Sequence, residues 1–133
     1  MTSYDMREGQ CGTADAWSKL TGTGKADNAG DVQVPAGVSR ISRIISVVAP
    51  GTTAGASTYL GALEGAGLMQ GRQEFTLAST TLGAGTITCN LVKPCMVKLV
   101  DIPVQPGNQI SLYGCMSGAD QGTPEVAICL EFS

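Results

Sequence analysis

Glu125-Val126-Ala127-Ile128-Cys129-Leu130-Glu131-Phe132 alternates without a break. Val126, Ile128, Leu130 and Phe132 fall on one side, and Ala127, Cys129 and Glu131 on the other. A period of two is that of an extended strand, whose successive side chains point to opposite faces, so this segment reads as a strand with one buried face. Working back along the chain, the same signal recurs. In residues 95–104, Val97 and Leu99 alternate against Met96, Lys98, Val100 and Ile102. Residues 109–114 turn Ile110 and Leu112 inward. Between these two runs, Pro103, Pro106 and Gly107 mark a corner, because Pro presets φ and Gly accepts positive φ.

The longest run is 39–49. Ile41, Ile45 and Val47 share one face with Arg43, while Ile44 and Val48 share the other with Arg40, Ser42 and Ser46. Neither face is purely polar, so both are expected to be partly covered. Shorter strands are expected at 31–34, 57–65, 72–77 and 86–91, each bounded by Gly or Pro. About eight strands punctuated in this way point to an all-β chain, an antiparallel β-sandwich with jelly-roll-like character. The expected organisation is an N-terminal arm over 1–30 followed by the sandwich over 31–133. Within the arm, residues 13–20 read as at most two turns of helix, with Thr13 as N-cap and Gly22 past the end.

The chain has 133 residues and a formal net charge of -3. Gly, Ala, Ser and Thr supply 55 residues, whereas charged residues make up 14%, against roughly 25% for an ordinary soluble domain. His is absent, which removes Ser-His-Asp and Cys-His catalytic arrangements and His-containing zinc sites. With only 8 Lys+Arg there is no electrostatic footprint for nucleic acid. No run approaches a membrane span. Residues 1–8 lack an apolar core and read as no signal peptide.

Five cysteines stand at positions 11, 89, 95, 115 and 129. An odd count without a CxxC pair fits small buried hydrophobes in a reducing compartment. A disulfide from Cys89 or Cys95 to another strand remains the alternative. Gly22-Thr23-Gly24-Lys25 resembles a fragment of a phosphate-binding loop but lacks the Ser/Thr after Lys25, so it reads as a turn. Asp27 and Asp31 cluster oxygen ligands without EF-hand spacing, which leaves Ca²⁺ binding open. Asp120 raises the same question more faintly. Glu64, Glu74 and Asp101 are the acids nearest to strands, and nothing pairs them for acid–base work. Gly61 and Gly65 read as places where backbones approach closely, including the backbone of a neighbouring copy. The sequence therefore predicts no catalytic, cofactor-binding or metal-ligating residue, and no enzyme activity.

The segment Val34-Pro35-Ala36-Gly37 leading into 41–48 carries a family resemblance, as do Asp101-Ile102-Pro103-Val104-Gln105-Pro106-Gly107-Asn108-Gln109-Ile110 and the closing 126–132. Together they resemble single jelly-roll structural proteins of viruses, namely capsid subunits and the decoration proteins bound to capsids. The resemblance spans about 31–132. It implies a non-enzymatic virion protein, made in the host cytoplasm, whose partners are copies of itself or another capsid protein. The charge-poor surface agrees with that expectation, because a free monomer usually carries more charge. Trp17, Arg40, Arg43, Tyr59 and Phe75 are the expected subunit-contact residues, with residues 1–30 docking on a neighbouring copy. A glycan-binding or adhesive module, stacking sugars on Trp17, Tyr59 or Tyr113, is the second reading. An extracellular filament subunit is the third.

Overall fold

The computed structural model describes residues 2–24, 29–49, 57–65, 68, 71–78, 95–118 and 124–133. The strand expected at 86–91, with its Cys89, lies outside these residues, as do Lys25, Asp27 and Asp120. Nine strands are described: β1 (Ser3–Gln10), β2 (Ser18–Leu20), β3 (Val32–Gln33), β4 (Arg40–Ala49), β5 (Ser57–Gly65), β6 (Gln73–Ala78), β7 (Cys95–Pro103), β8 (Gln109–Gly118) and β9 (Glu125–Phe132). They form two antiparallel sheets, one ordered β1-β9-β4-β7 and the other β2-β8-β5-β6, with β3 also pairing β8.

The pairing is nested. β1 pairs β9, β2 and β3 pair β8, β4 pairs β7, and β5 pairs β6. With β2 and β3 sharing one place beside β8, a long antiparallel ribbon wraps into two four-position sheets, which is jelly-roll connectivity. Between the sheets sits one apolar core. Val126, Ile128, Leu130 and Phe132 of β9 are all buried, as their alternation requires. They meet Ile110 and Leu112 of β8, Leu63 of β5 and Leu77 of β6.

Four departures from the sequence reading have physical causes. The first is the helix expected over 13–20. Asp15 takes a positive φ of 59°, a left-handed conformation that no right-handed helix accommodates. Its N–H donates to the Met116 carbonyl at 2.7 Å, and Ser18–Leu20 is strand β2.

The second departure lies in the segment read as an arm, where residues 3–10 are β1, paired along their length with β9 of the same chain. Residues directly opposite in an antiparallel pair share a face. Ser3, Asp5, Arg7 and Gly9 therefore lie on the inner side with Phe132, Leu130, Ile128 and Val126. No apolar alternation announces such a strand.

Third, a register shift between Ile41 and Arg43 inserts an extra residue into β4. The bulge changes the phase of the strand, so Ile41, Ile44 and Val48 are all buried together. Arg40 and Arg43 consequently share the outer face, where the uninterrupted alternation had separated them.

The fourth concerns the glycines, whose close approaches are within the chain. A Cβ on Gly61 would stand 2.5 Å from Phe75 Cε2, and one on Gly65 would strike the Gln109 carbonyl. Neither leaves room for a neighbouring copy.

Candidate functional site

Of the five expected contact residues, the fold buries two. Tyr59 is 0% exposed and Phe75 is 7% exposed, both inside the core. Covered by their own chain, they present nothing to a partner, and this corrects the expectation for both. Opposite Tyr59 and Leu60, β6 carries one extra residue between their partners Ala78 and Thr76, while the pairing of β5 with β8 runs without interruption.

Arg40 and Arg43 do reach the surface, each beside a carboxylate. Arg40 Nη1 lies 3.6 Å from Asp101 Oδ1, an exposed and weak pair. Arg43 Nε lies 3.1 Å from Glu131 Oε2, yet neither of these buried atoms makes a well-aligned hydrogen bond. The charges attract, but the donor and acceptor are left unsatisfied.

The outer face of the β1-β9-β4-β7 sheet can be read row by row from the register. Tyr4, Glu131, Arg43 and Leu99 lie side by side. The next row is Met6, Cys129, Ile45 and Val97, and the one after it is Glu8, Ala127, Val47 and Cys95. Tyr4, Val97 and Leu99 are the exposed large hydrophobics among the described residues, at 58%, 56% and 75%. All three fall on this one face. Sequence reasoning had placed Val97 and Leu99 together but had not marked them as contact residues. Lys98, which alternates with them, hid the signal.

Trp17 lies across the opposite sheet. The Arg72 guanidinium carbon stands 4.4 Å from its ring centroid and 5.2 Å from that of Tyr113. A cation over an aromatic face is held by the ring quadrupole. Nearby, Asp31 Oδ1 accepts from Lys19 Nζ and from Ser111 Oγ, both at 2.8 Å. The Lys19 hydrogen bond, then that from Ser111, holds the Asp31 carboxyl below its ordinary value, and the same contact with Asp31 raises Lys19. An ammonium and a hydroxyl thus share one of the two Asp31 carboxylate oxygens.

Chemistry is sparse elsewhere. Glu64 and Glu74 belong to the β2-β8-β5-β6 sheet and Asp101 to the other, so the three candidate acids do not converge. No cluster of metal-ligating side chains occurs among the described residues. Cys11, Cys95, Cys115 and Cys129 are free thiols. Burial pushes Cys11 up to about 11, and burial also raises Cys115 and Cys129, so none of these three is an activated nucleophile. A shallow depression of about 270 Å³ lies between Tyr4, Asp5, Met6, Thr23 and Cys129, at the β1 end of the apolar face.

No family model matches the sequence, and no curated protein matches it. Solved structures do match. One is a chain in the structure of infectious bursal disease virus, Gx strain, with 15% identity and a TM-score of 0.53 over 99% of this chain. The likeness is one of fold. Another is a chain in the structure of the Gt strain of the same virus, at 13% identity, a TM-score of 0.46 and 99% coverage of this chain. This chain spans about a third of the length of those chains, 31% and 36%. The jelly-roll pattern seen in the sequence thus has its structural counterpart in a virus.

Proposed function

We propose that the chain is a non-enzymatic structural subunit of a virion, self-associating as part of a capsid or as a decoration on one. The observation that carries this reading is the outer face of the β1-β9-β4-β7 sheet, which gathers the exposed large apolar side chains of the described residues. Scattered exposed apolar side chains need no explanation, but here the row Met6, Cys129, Ile45 and Val97 links Tyr4 at one edge strand to Val97 and Leu99 at the other, and a linked apolar patch marks an interaction site. The fold likeness to a virus chain supports the virion class and location. Partners are then further copies of this chain or another shell protein, arranged by closed or helical symmetry. Measuring native mass and imaging by negative stain tests the proposal. Defined oligomers or lattices support it, and a clean 13.6 kDa monomer at high concentration sinks it.

One observation favours a second reading, a glycan-binding module. Trp17, Arg72 and Tyr113 form an aromatic and cationic surface on the other sheet. Saturable binding by the monomer on a glycan array, abolished by Trp17→Ala, would replace the first reading with this one.

A further inference from the structure

We propose that two copies of this chain pack face to face through the outer side of the β1-β9-β4-β7 sheet, about a two-fold axis running close to β4 and β9. The proposal rests on the self-association put forward above and names the surface that performs it. Packed sheets keep their strand directions within roughly 30° of one another. A two-fold axis along the strands exchanges β9 with β4 and β1 with β7 while keeping each cross-strand row in place. The consequences can be read from the register.

In the first row, Glu131 of each copy comes opposite Arg43 of the other, and Tyr4 comes opposite Leu99. The second row sets Met6 against Val97 and Cys129 against Ile45. Apolar side chains meet apolar side chains, and the charged pair meets its own opposite. Such self-complementarity is what an isologous contact demands. It covers the three exposed large apolar side chains at once. It also gives Arg43 and Glu131, whose contact within one chain is poorly aligned, a second partner each.

The sheet edges offer less. At the β1 edge, Glu8 exchanges both backbone hydrogen bonds with Gly22, so even-numbered residues of β1 direct their backbone groups outward. Met6 is next in that series. Its N–H donates to Asp5 Oδ1 at 2.9 Å, and its carbonyl accepts from Arg7 Nη1 at 2.7 Å. The edge is closed by its own side chains while the face leaves Tyr4, Val97 and Leu99 exposed, which favours face packing over strand addition.

From strand spacing and rise, three rows across four strands cover ~19 Å by ~20 Å, about half of the ~800 Å² per partner in a standard interface. An isolated pair is therefore weak, and repetition in a lattice strengthens it.

Sedimentation of the 133-residue chain up to ~1 mM, a range suited to a half-sized interface, tests the proposal. The expected result is reversible dimerisation, weakened at least tenfold by Leu99→Asp, a change at a 75% exposed site that leaves the β circular dichroism intact. Arg43→Glu and Glu131→Arg each oppose like charges across the axis and weaken dimerisation singly. Mixed in equal amounts they form a heterodimer with both cross-pairs matched. Loss with Leu99→Asp but no recovery on mixing overturns the two-fold arrangement. Should either charge variant misfold, Leu99→Asp alone decides whether this face is used. Association untouched by Leu99→Asp overturns the face and leaves the shell reading standing. A wild-type chain that stays monomeric, as when this face seats a different protein, overturns both.

Discussion

Arg7 Nε donates to the Gly30 carbonyl at 2.9 Å, tying the inner side of β1 to the turn that enters β3 on the other sheet. The same guanidinium donates to the Asp31 carbonyl at 3.1 Å and pairs with Asp5 Oδ1 at 2.7 Å. At 7% exposure it is the buried charge of the described residues. Arg7→Ala leaves three carbonyls, those of Met6, Gly30 and Asp31, and a carboxylate without their donor. Breaking a buried pair by removing one member costs ~3–5 kcal/mol, and Asp5 is partly exposed, so a loss of ~3 kcal/mol is expected. A urea midpoint for Arg7→Ala within error of the wild type would contradict this account of β1.

Two glycines should respond differently to alanine. At Gly65 the added Cβ meets the Gln109 carbonyl and, at 3.1 Å, Ile110 Cα, both backbone atoms of the paired strand β8. That strand is hydrogen-bonded on both sides and cannot retreat. At Gly61 the obstacle is the Phe75 ring, a side chain that can shift within the core. Overpacking a core costs ~1–3 kcal/mol, which is the expectation for Gly61→Ala. Gly65→Ala should exceed it or fail to fold. Thermal unfolding of both variants checks the order, and a milder Gly65→Ala would mean that β5 and β8 part easily.

How much of this was legible in the sequence depended on which side of each strand is apolar. β9 and β5 carry alternating or apolar runs, and their expected bounds coincide with those observed. β1 was invisible because its inner side is Ser3, Asp5, Arg7 and Gly9, satisfied by hydrogen bonds rather than apolar packing. The β4 bulge was invisible because one inserted residue leaves the composition unchanged while inverting the alternation beyond it. That inversion brought Arg43 to the same face as Arg40 and beside Glu131. At the candidate face, Lys98 masked the signal. It stands opposite the buried Ile44, on the inner side of the outermost described strand, where a charge guards a sheet edge. The edges keep their protection, while the charges on the outer face, Arg40 with Asp101 and Arg43 with Glu131, stand in opposite-sign pairs beside its exposed apolar side chains.

Stability should form a plateau in pH with a loss on each side. Asp31 is held below its ordinary value of 3.8 by the Lys19 hydrogen bond, so its contribution is present above 3.8 and is lost as pH falls through the lower folded value. Cys11 is raised from 9.0 to about 11 by burial, so its contribution is present below 9.0 and disappears as pH rises through about 11. At ~1.4 kcal/mol per pKa unit, the alkaline loss from Cys11 is about 2–3 kcal/mol. The acid loss is smaller, ~1 kcal/mol at most, because the Lys19–Asp31 pair is partly solvated. Urea midpoints at pH 3, 7 and 10.5 check the profile. Cys11→Ala should flatten the alkaline limb while lowering the plateau, and an unchanged limb would assign it to other groups.

The Asp5–Met6–Arg7 bridge predicts what happens when the edge is opened. Asp5 Oδ1 accepts from the Met6 N–H and from Arg7 Nη1, and Arg7 Nη1 also donates to the Met6 carbonyl. Asp5→Ala removes the acceptor, frees an outward N–H on an edge strand and releases the guanidinium from its carboxylate. The core loses no apolar side chain, so the fold should persist with a modest loss of ~1–2 kcal/mol. An open edge is a template for another strand, and its consequence is slow edge-to-edge association. Asp5→Ala should therefore raise thioflavin T fluorescence and light scattering over days at a concentration where the wild type stays clear. Asp5→Asn, whose amide oxygen still accepts from Met6, should largely prevent the rise. Equal scattering from Asp5→Ala and the wild type would mean that this edge needs no guard, and the contrast between closed edge and open face would lose its physical basis.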